Sequence, residues 1–332
     1  MGQDLQWQNG FFDRLKEKVP SNVSVADEIA DLLGISNDSA YRRMRGETAL
    51  SLDESIKLSG HFSISMEDLF GSSSDSVLFH HMSMTDKSVD MDVFLKKTLD
   101  IFQQFPKLKN PKGVYAAKNI PIFYYFYYPQ LAKFKLFFWL KTVKEGGSFS
   151  GKNFSPDLIP ESFFEAPAQI AKIYSSLPFV EIWNEETVNS ILLQIDYYAE
   201  NGFFSSKADG MLICDQFEQM MQMIKIQCET GVKWHNGKPV SPEVPYYLYF
   251  NEILILEEII SLTADDFNFS LITYHAMDYL YTYQKKFSDQ VAAGLKIQMK
   301  KSIPISGTGE KERNRFFNKI FEKIEKAKEK FR

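Results

Sequence analysis

Apolar positions in the first fifth of the chain recur at helical spacing, in short runs that small polar residues separate. Ile29, Leu32 and Leu33 occupy relative positions 0, 3 and 4, which predicts a short helix with one buried face. Gly34 follows, and a glycine ends a helix readily because it adopts positive φ at almost no steric cost. We therefore predict a domain of short helices over residues 1–70.

A second short helix follows this glycine turn. Ser36 can cap its first turn, and Ala40 and Met44, four positions apart, form its inward face. The first helix has a capping pattern of its own, in which Ser24 precedes Asp27 by three positions. Two capped helices joined by a tight turn are typical of a helix-turn-helix.

The outward face of the second helix carries candidate DNA contacts. A capped helix whose first turn is exposed and polar can enter the major groove, where Asn reads adenine edges and Arg reads guanine. Asp38 could accept a hydrogen bond from cytosine, although phosphates close to it would otherwise repel it. The residues left outward by the pattern are Asn37, Asp38, Tyr41, Arg42 and Arg45.

Residues 11–70 resemble the Cro/repressor-type (XRE) helix-turn-helix, a lambda repressor-like fold, and this resemblance implies five helices. The segments that carry it are Ile29-Ala-Asp-Leu-Leu-Gly-Ile-Ser36, Tyr41-Arg-Arg-Met-Arg-Gly-Glu47, Leu52-Asp-Glu-Ser-Ile-Lys-Leu58 and Phe62-Ser-Ile-Ser-Met-Glu-Asp-Leu-Phe70. The whole chain also resembles helix-turn-helix regulators of Bacteroides-like bacteria that have a long C-terminal region.

The resemblance implies roles for individual residues of the second helix. The base-reading positions would be those of Asn37, Asp38 and Ser39. The positions at or near phosphates would be those of Tyr41, Arg42 and Arg45. Arg43 departs from the family pattern, which commonly has an apolar or aromatic residue there, so Arg43 could read a base, reach a phosphate or fold back.

The distribution of charge bears on DNA binding. The chain has 38 Lys and Arg against 43 Asp and Glu, a net charge of -5, which argues against nucleic-acid binding by the whole surface. Residues 1–70 carry 7 basic and 12 acidic residues, so a DNA contact there must be local. This acidity favours an alternative hypothesis, a protein-interaction adaptor whose helix-turn-helix is a docking module. Residues 296–332, with 12 basic and 5 acidic residues, are the basic end of the chain.

The rest of the chain predicts a linker over residues 71–90 and a large helical domain over residues 91–332. Short β-favouring runs at about 246–274 predict a small antiparallel sheet within that domain. The predicted fold class is therefore mainly α. Helices are expected at about 91–105, 122–143, 163–177, 185–201, 208–230, 276–300 and 309–331.

Aromatic residues are unusually common, with 29 Phe and 16 Tyr, and they imply a large aromatic core. Together with methionines they could instead line an adaptable pocket for a small-molecule or peptide effector. The stripe from Cys214 to Cys228 leaves the same two alternatives open. The last helix could dock on its own domain, form a homodimer contact or reach DNA phosphates. We expect the C-terminal domain to sense a signal or to hold a homodimer.

Several kinds of chemistry are not supported by the sequence. It contains no Gly-rich phosphate loop, nucleophile elbow or HExxH motif, so we expect neither an enzyme nor a cofactor. Cys214, Cys228 and His235 have spacings that match no zinc site, and two cysteines define no disulfide framework. The longest uncharged stretch has 14 residues and two prolines, too short to span a bilayer. The expectation is a cytoplasmic bacterial regulator that binds double-stranded DNA, not a membrane.

Overall fold

The computed structural model describes residues 6–19, 23–62, 64, 77–84, 91–143, 149–235, 237–241, 243–253, 257–265, 267–275 and 277–332. The chain divides into two compact units, Met1–Leu78 and Phe79–Arg332. The predicted linker began earlier, at residue 71, and part of it, His80–Met82, is a strand of the second unit.

The N-terminal unit is helical in the part that the structure describes. Its core contains Phe11, Phe12 and Leu15 of the first helix together with Ile29 and Leu58. The fifth helix implied by the resemblance lies almost entirely outside the described residues. The helices are α1 (Gln6–Lys18), α2 (Val25–Leu33), α3 (Asn37–Met44) and α4 (Leu52–Phe62).

Local capping explains why α2 and α3 begin and end at these residues. The Ser24 hydroxyl accepts a hydrogen bond from the Asp27 amide at 3.4 Å, and the Ser36 hydroxyl accepts one from the Ser39 amide at 3.3 Å. Gly34 has a φ of 68°, a left-handed conformation that a β-carbon would disfavour. The predicted caps and the glycine turn are confirmed.

The C-terminal unit is built around an eight-stranded mixed sheet. The strand order is β1-β9-β8-β7-β2-β3-β6-β10, in which β2, β3 and β6 are parallel neighbours and the other pairs are antiparallel. A separate hairpin joins β4 to β5. The strands are β1 (His80–Met82), β2 (Lys112–Ala117), β3 (Phe179–Trp183), β4 (Trp234–His235), β5 (Lys238–Pro239), β6 (Tyr246–Phe250), β7 (Ile259–Ala264), β8 (Phe267–His275), β9 (Asp278–Thr282) and β10 (Ile303–Pro304).

Helices pack against this sheet and against one another. The α-helices are α5 (Met91–Phe102), α6 (Ile122–Tyr125), α7 (Pro129–Val143), α8 (Glu165–Ser176), α9 (Asn189–Glu200), α10 (Lys207–Thr230), α11 (Lys285–Lys300) and α12 (Glu310–Glu329). Short 3₁₀ turns lie at Phe105–Lys107, Pro156–Leu158, Glu161–Phe164 and Glu185–Val188. In the described ranges, no helix is both long and apolar enough to cross a membrane.

The predicted fold class was wrong. A mainly helical domain with a small antiparallel sheet at about 246–274 was expected, whereas the sheet is large, mixed and drawn from residues 80–304. The parallel strands β2 and β3 lie inside the sheet, where burial on both faces removes the alternating pattern that marks a strand. β9 was taken for the start of a helix at 276, but α11 begins only at Lys285.

The core of the C-terminal unit is largely aromatic, as the composition indicated. Phe123 stacks on Tyr174 with ring centroids 4.3 Å apart, and Phe134 stacks on Phe204 at 5.5 Å. The stripe on α10 belongs to this core rather than to a groove, because its members are almost completely buried. They are Cys214, Phe217, Met221, Ile224 and Cys228.

The basic final helix, α12, docks on its own unit. Phe317, Ile320 and Ile324 are buried in the core. The Lys328 ammonium lies 2.8 Å from an Asp215 carboxylate oxygen and 2.7 Å from one of Glu218, and both carboxylates belong to α10. Positive charge of this helix therefore forms ion pairs within the unit. Of the three alternatives for the last helix, the structure favours docking on its own domain.

Candidate DNA-binding surface

The helix-turn-helix presents one face of α3 outward. Ala40 is fully buried and Met44 is half-buried against the core of the N-terminal unit. At helical spacing, a buried face of this kind leaves the opposite face free for a partner. The exposed residues of α3 and its C-cap are those expected from the pattern, namely Asn37, Asp38, Tyr41, Arg42 and Arg45.

Asn37, the first residue of α3, is oriented by the preceding helix. Its Nδ2 donates a hydrogen bond of 2.7 Å to the Asp27 carboxylate on α2. A side-chain amide has two N–H donors and one acceptor oxygen, so one donor and the acceptor remain for a ligand. These two groups are the pair that a bidentate contact with adenine requires.

Ser39 is less available than its neighbours in the first turn. It is half-buried, and its hydroxyl lies 3.0 Å from the Ser36 hydroxyl. Asp38 between them is exposed and is the negative charge closest in sequence to the tip of the helix. The three base-reading positions implied by the resemblance therefore differ in exposure, since Asn37 and Asp38 are exposed and Ser39 is half-buried.

Arg43 folds back onto the N-terminal unit. Its Nη2 donates at 2.8 Å to one Glu54 oxygen, its Nε donates at 3.2 Å to the other, and its Nη1 reaches the Ser39 carbonyl at 3.2 Å. The side chain is only 16% exposed. A forked guanidinium–carboxylate pair of this kind fixes geometry as well as charge. Of the three roles left open by the sequence, the structure shows the folded-back one.

Glu54 is held ionised by this arrangement. Burial raises the pKa of its carboxyl, but hydrogen bonds from Arg43 and Ser51 outweigh that effect, so the pKa lies below its usual value. Glu54 also accepts from the Ser51 amide at 2.9 Å, at the start of α4. The pair therefore pins α3 to the N-terminus of α4.

Arg42 and Arg45 remain on the outside, where both approach Glu47. The Arg45 Nε donates to a Glu47 oxygen at 2.7 Å, and the Arg42 Nε lies 3.7 Å from the other oxygen. The hydrogen bond from Arg45 lowers the pKa of Glu47. Exposed ion pairs are weak, so phosphates can compete with this carboxylate for both guanidinium groups.

Sequence reasoning missed two residues that position this surface, Gln8 and Glu54. Gln8 is completely buried. Its Nε2 donates to the Arg43 carbonyl at 2.7 Å and to the Thr48 carbonyl at 2.8 Å, while its Oε1 accepts from the Leu50 amide at 2.9 Å. It thus anchors the C-terminal end of α3. The apolar spacing of Phe11, Phe12 and Leu15 could have revealed α1, although not this role.

The cysteines that the sequence analysis considered as zinc ligands lie in the C-terminal unit. Among the described residues, no group of three His, Cys, Asp or Glu side chains could hold a metal ion. Cys214 and Cys228 are buried thiols, and burial raises the pKa of Cys214 to about 12.

Residues 13–91 match the family model of the BetR domain. That family is helix-turn-helix-like, so the match confirms the helix-turn-helix interpretation at this level. It begins within α1 and includes α2, α3 and α4, hence the whole candidate surface with its positioning residue Glu54. No curated protein and no solved structure matches the chain.

Proposed function

We propose that this protein is a sequence-specific DNA-binding transcriptional regulator of the Cro/repressor type. The observation that carries the proposal is the exposed polar face of α3 in a capped helix-turn-helix. The BetR match supports it, because a domain of that family suggests DNA-binding regulation. The proposal assigns the chain no catalytic activity and places it in the bacterial cytoplasm, where its DNA would be.

In this proposal, α3 enters the major groove with its N-terminal turn towards the bases. Asn37 carries most of the base reading, because Asp27 already holds its amide and leaves a donor and an acceptor free. Asp38 would accept from a cytosine amino group, and Ser39 would contribute least because it is partly enclosed. Holding the amide before binding also lowers the entropy lost on contact.

Phosphates would be contacted by Tyr41, Arg42 and Arg45. Both arginines leave Glu47 and pair with the DNA backbone, which exchanges a weak exposed ion pair for one with a phosphate. Arg43 stays on Glu54 and acts as a positioning residue. On α3 and its C-cap, the positive charge offered to phosphates is thus two arginines in each copy of the unit.

We further propose that the C-terminal unit holds a homodimer or senses an effector. A single small helix-turn-helix rarely retains an operator, and two copies would read half-sites about 34 Å apart along the DNA. The C-terminal unit, Phe79–Arg332, is far larger than a dimer contact requires, which favours an additional sensing role.

The deciding experiment recovers the DNA fragments bound to the protein in cells and sequences them. We expect one enriched motif with two half-sites, which purified protein then binds in a fluorescence anisotropy titration. The control is Lys172→Ala, which removes an exposed positive charge from the C-terminal unit and should leave that affinity unchanged. Recovery of no enriched sequence, with no binding of any duplex at low salt, would contradict the proposal.

A protein-interaction adaptor is the second candidate function. It is favoured by the 12 acidic residues against 7 basic ones in residues 1–70, and by the engagement of both exposed arginines with Glu47. In this case the acidic N-terminal unit would dock on another protein through α3. Substitutions on α3 would then abolish capture of that protein, whereas no duplex would be bound at any salt concentration.

A further inference from the structure

A largely apolar cavity of about 320 Å³ lies inside the C-terminal unit. That size is typical of sites for small organic molecules. α5, α6, α7, α8 and α9 all contribute to its wall. Representative apolar wall residues are Ile122, Phe126, Leu136, Phe138 and Phe164.

One cation, Lys135 on α7, borders this cavity. Its ammonium donates to the Gln194 side-chain oxygen at 2.8 Å and lies 5.5 Å from the centre of the Tyr125 ring. No carboxylate of the described residues forms an ion pair with it, although an ammonium has three N–H donors. Burial lowers the pKa of Lys135 to about 8, so most of the group is still charged at neutral pH.

A second donor, the indole N–H of Trp139, lies one helical turn along α7. Trp139 also borders the cavity and is 5% exposed, yet none of the described residues accepts a hydrogen bond from its Nε1. Buried donors in native proteins normally find a partner. The cavity wall therefore holds a charged donor with unused capacity and a neutral donor that has no acceptor in the described structure.

A smaller cavity of about 160 Å³ shares five lining residues with the first and contains Glu258. This carboxylate already accepts three hydrogen bonds, one from the Tyr115 hydroxyl and two from the backbone and side-chain N–H groups of Asn119. A cationic ligand would gain little there. Glu258 attracts the Lys135 ammonium without forming an ion pair with it, so the ammonium keeps donors that an anion could use.

We propose that the cavity beside Lys135 binds a small organic acid with one carboxylate and an apolar body, such as an arylalkanoic or medium-chain alkanoic acid. The carboxylate pairs with the Lys135 ammonium, and the apolar body lies against the aromatic wall. One lysine suits a monoanion, whereas a phosphate would call for more charge and more donors. This inference deepens the sensing part of the proposed function and rests on it only for the consequence of binding.

The test uses probes that differ only in charge, on the full chain and without DNA. They are 4-phenylbutyrate against 4-phenylbutan-1-ol and octanoate against octan-1-ol, each titrated by isothermal calorimetry. Because the carboxylate adds an attraction between opposite charges that the alcohol cannot make with the ammonium, each acid should bind about tenfold or more tighter than its alcohol. Equal affinities, or no binding of any probe up to its solubility limit, would overturn the proposal.

Variants on α7 locate the charge. Lys135→Met should lower the affinity for each acid about tenfold and that for the alcohol much less, whereas Lys135→Arg should retain a preference for the acid. Lys141→Met is the matched control, because Lys141 is on the same helix but lies against Phe203 outside the cavity. An acid preference that survives Lys135→Met sinks the assignment.

A steric variant keeps the test decisive if Lys135→Met does not fold, as judged by circular dichroism. Ala132 borders the cavity, so Ala132→Leu should weaken the acid and the alcohol alike. Unchanged binding of both would place the probes elsewhere and refute the site. Failure of the proposed function is recognised separately: if the acid binds as expected but operator affinity does not change, the binding site stands and the sensing role fails.

Discussion

Arg42 and Arg43 are adjacent in the sequence, but the structure gives them different tasks, and exchanging each for methionine separates these tasks. Arg43→Met removes the forked pair with Glu54, whose N–O distances are 2.8 and 3.2 Å. Both side chains are largely enclosed, at 16% and 20% exposure, so solvent screens the pair only in part. Arg42→Met removes the same charge from a guanidinium that is half exposed.

The two variants should therefore affect different measurements, Arg43→Met the amide protection and Arg42→Met the salt dependence of DNA binding. In Arg43→Met, losing the hydrogen bonds to the Glu54 carboxylate destabilises the N-terminal unit by about 1–3 kcal/mol. This substitution removes no contact with a phosphate. The destabilisation corresponds to a fall of roughly 5- to 150-fold in protection of the α3 and α4 amides from hydrogen exchange. Arg42→Met should leave that protection unchanged and make the slope of log affinity against log salt less negative by about 0.9, the share of one phosphate contact.

The assays are hydrogen exchange with mass spectrometry, which resolves peptides of α3 and α4, and anisotropy titrations of one operator duplex at several salt concentrations. Since the two variants have the same charge, neither result can be a general effect of net charge. The reasoning fails if Arg43→Met reduces the salt slope as Arg42→Met does while amide protection in α3 and α4 stays at the wild-type level.

Three further outcomes follow from the same unit. Gln8→Leu leaves the buried Leu50 amide without its acceptor, so it should cost about 2–4 kcal/mol in hydrogen-exchange stability, whereas the exposed Asn9→Ala should cost little. Asn37→Ala should blur the preference at one base pair by about 1–3 kcal/mol and keep the salt slope, and an unchanged preference in a selection experiment would argue against groove reading by Asn37. The pKa of Glu54 is lower in the folded protein than in the unfolded chain, so its stabilisation is present above the unfolded pKa and is lost as the pH falls through the folded value. The difference in stability between wild type and Glu54→Gln should therefore shrink on acidification below about pH 4.5. Circular dichroism melts measure this difference, and a difference that does not change with pH would refute the prediction.

The helix-turn-helix could be predicted because its determinants are local. The Ser24 and Ser36 caps and the Gly34 turn each act within a few residues, and the inward positions follow a single helical period. The direction of Arg43 could not be predicted in the same way. Its partner Glu54 is 11 positions away on another helix, and α3 alone would allow the guanidinium to point outward.

The sheet could not be predicted for a related reason. Strand β3 has a glutamate at its centre, Glu181, which reads as a solvent-facing residue. In the fold, this carboxylate is fully buried and accepts hydrogen bonds from Tyr124, Tyr174 and Trp183, while burial raises its pKa. These donors come from α6, α8 and β3 itself. Only the assembled core supplies these donors to a buried carboxyl group.

The arrangement of charge on α3 bears on how the proposed regulator would achieve affinity. With Arg43 committed to Glu54, Arg42 and Arg45 are the arginines of α3 and its C-cap that phosphates can reach, and Asp38 lies exposed on the same helix. Two contacts in each copy would give a monomer a salt slope of only about -2 and a dimer one of about -4, both shallow for DNA-binding proteins. Sequence-independent binding would therefore be weak, and base reading by Asn37 together with two-fold pairing would have to supply most of the discrimination. An acidic domain is compatible with this kind of binding, because weak attraction to DNA in general favours the operator over competing sites.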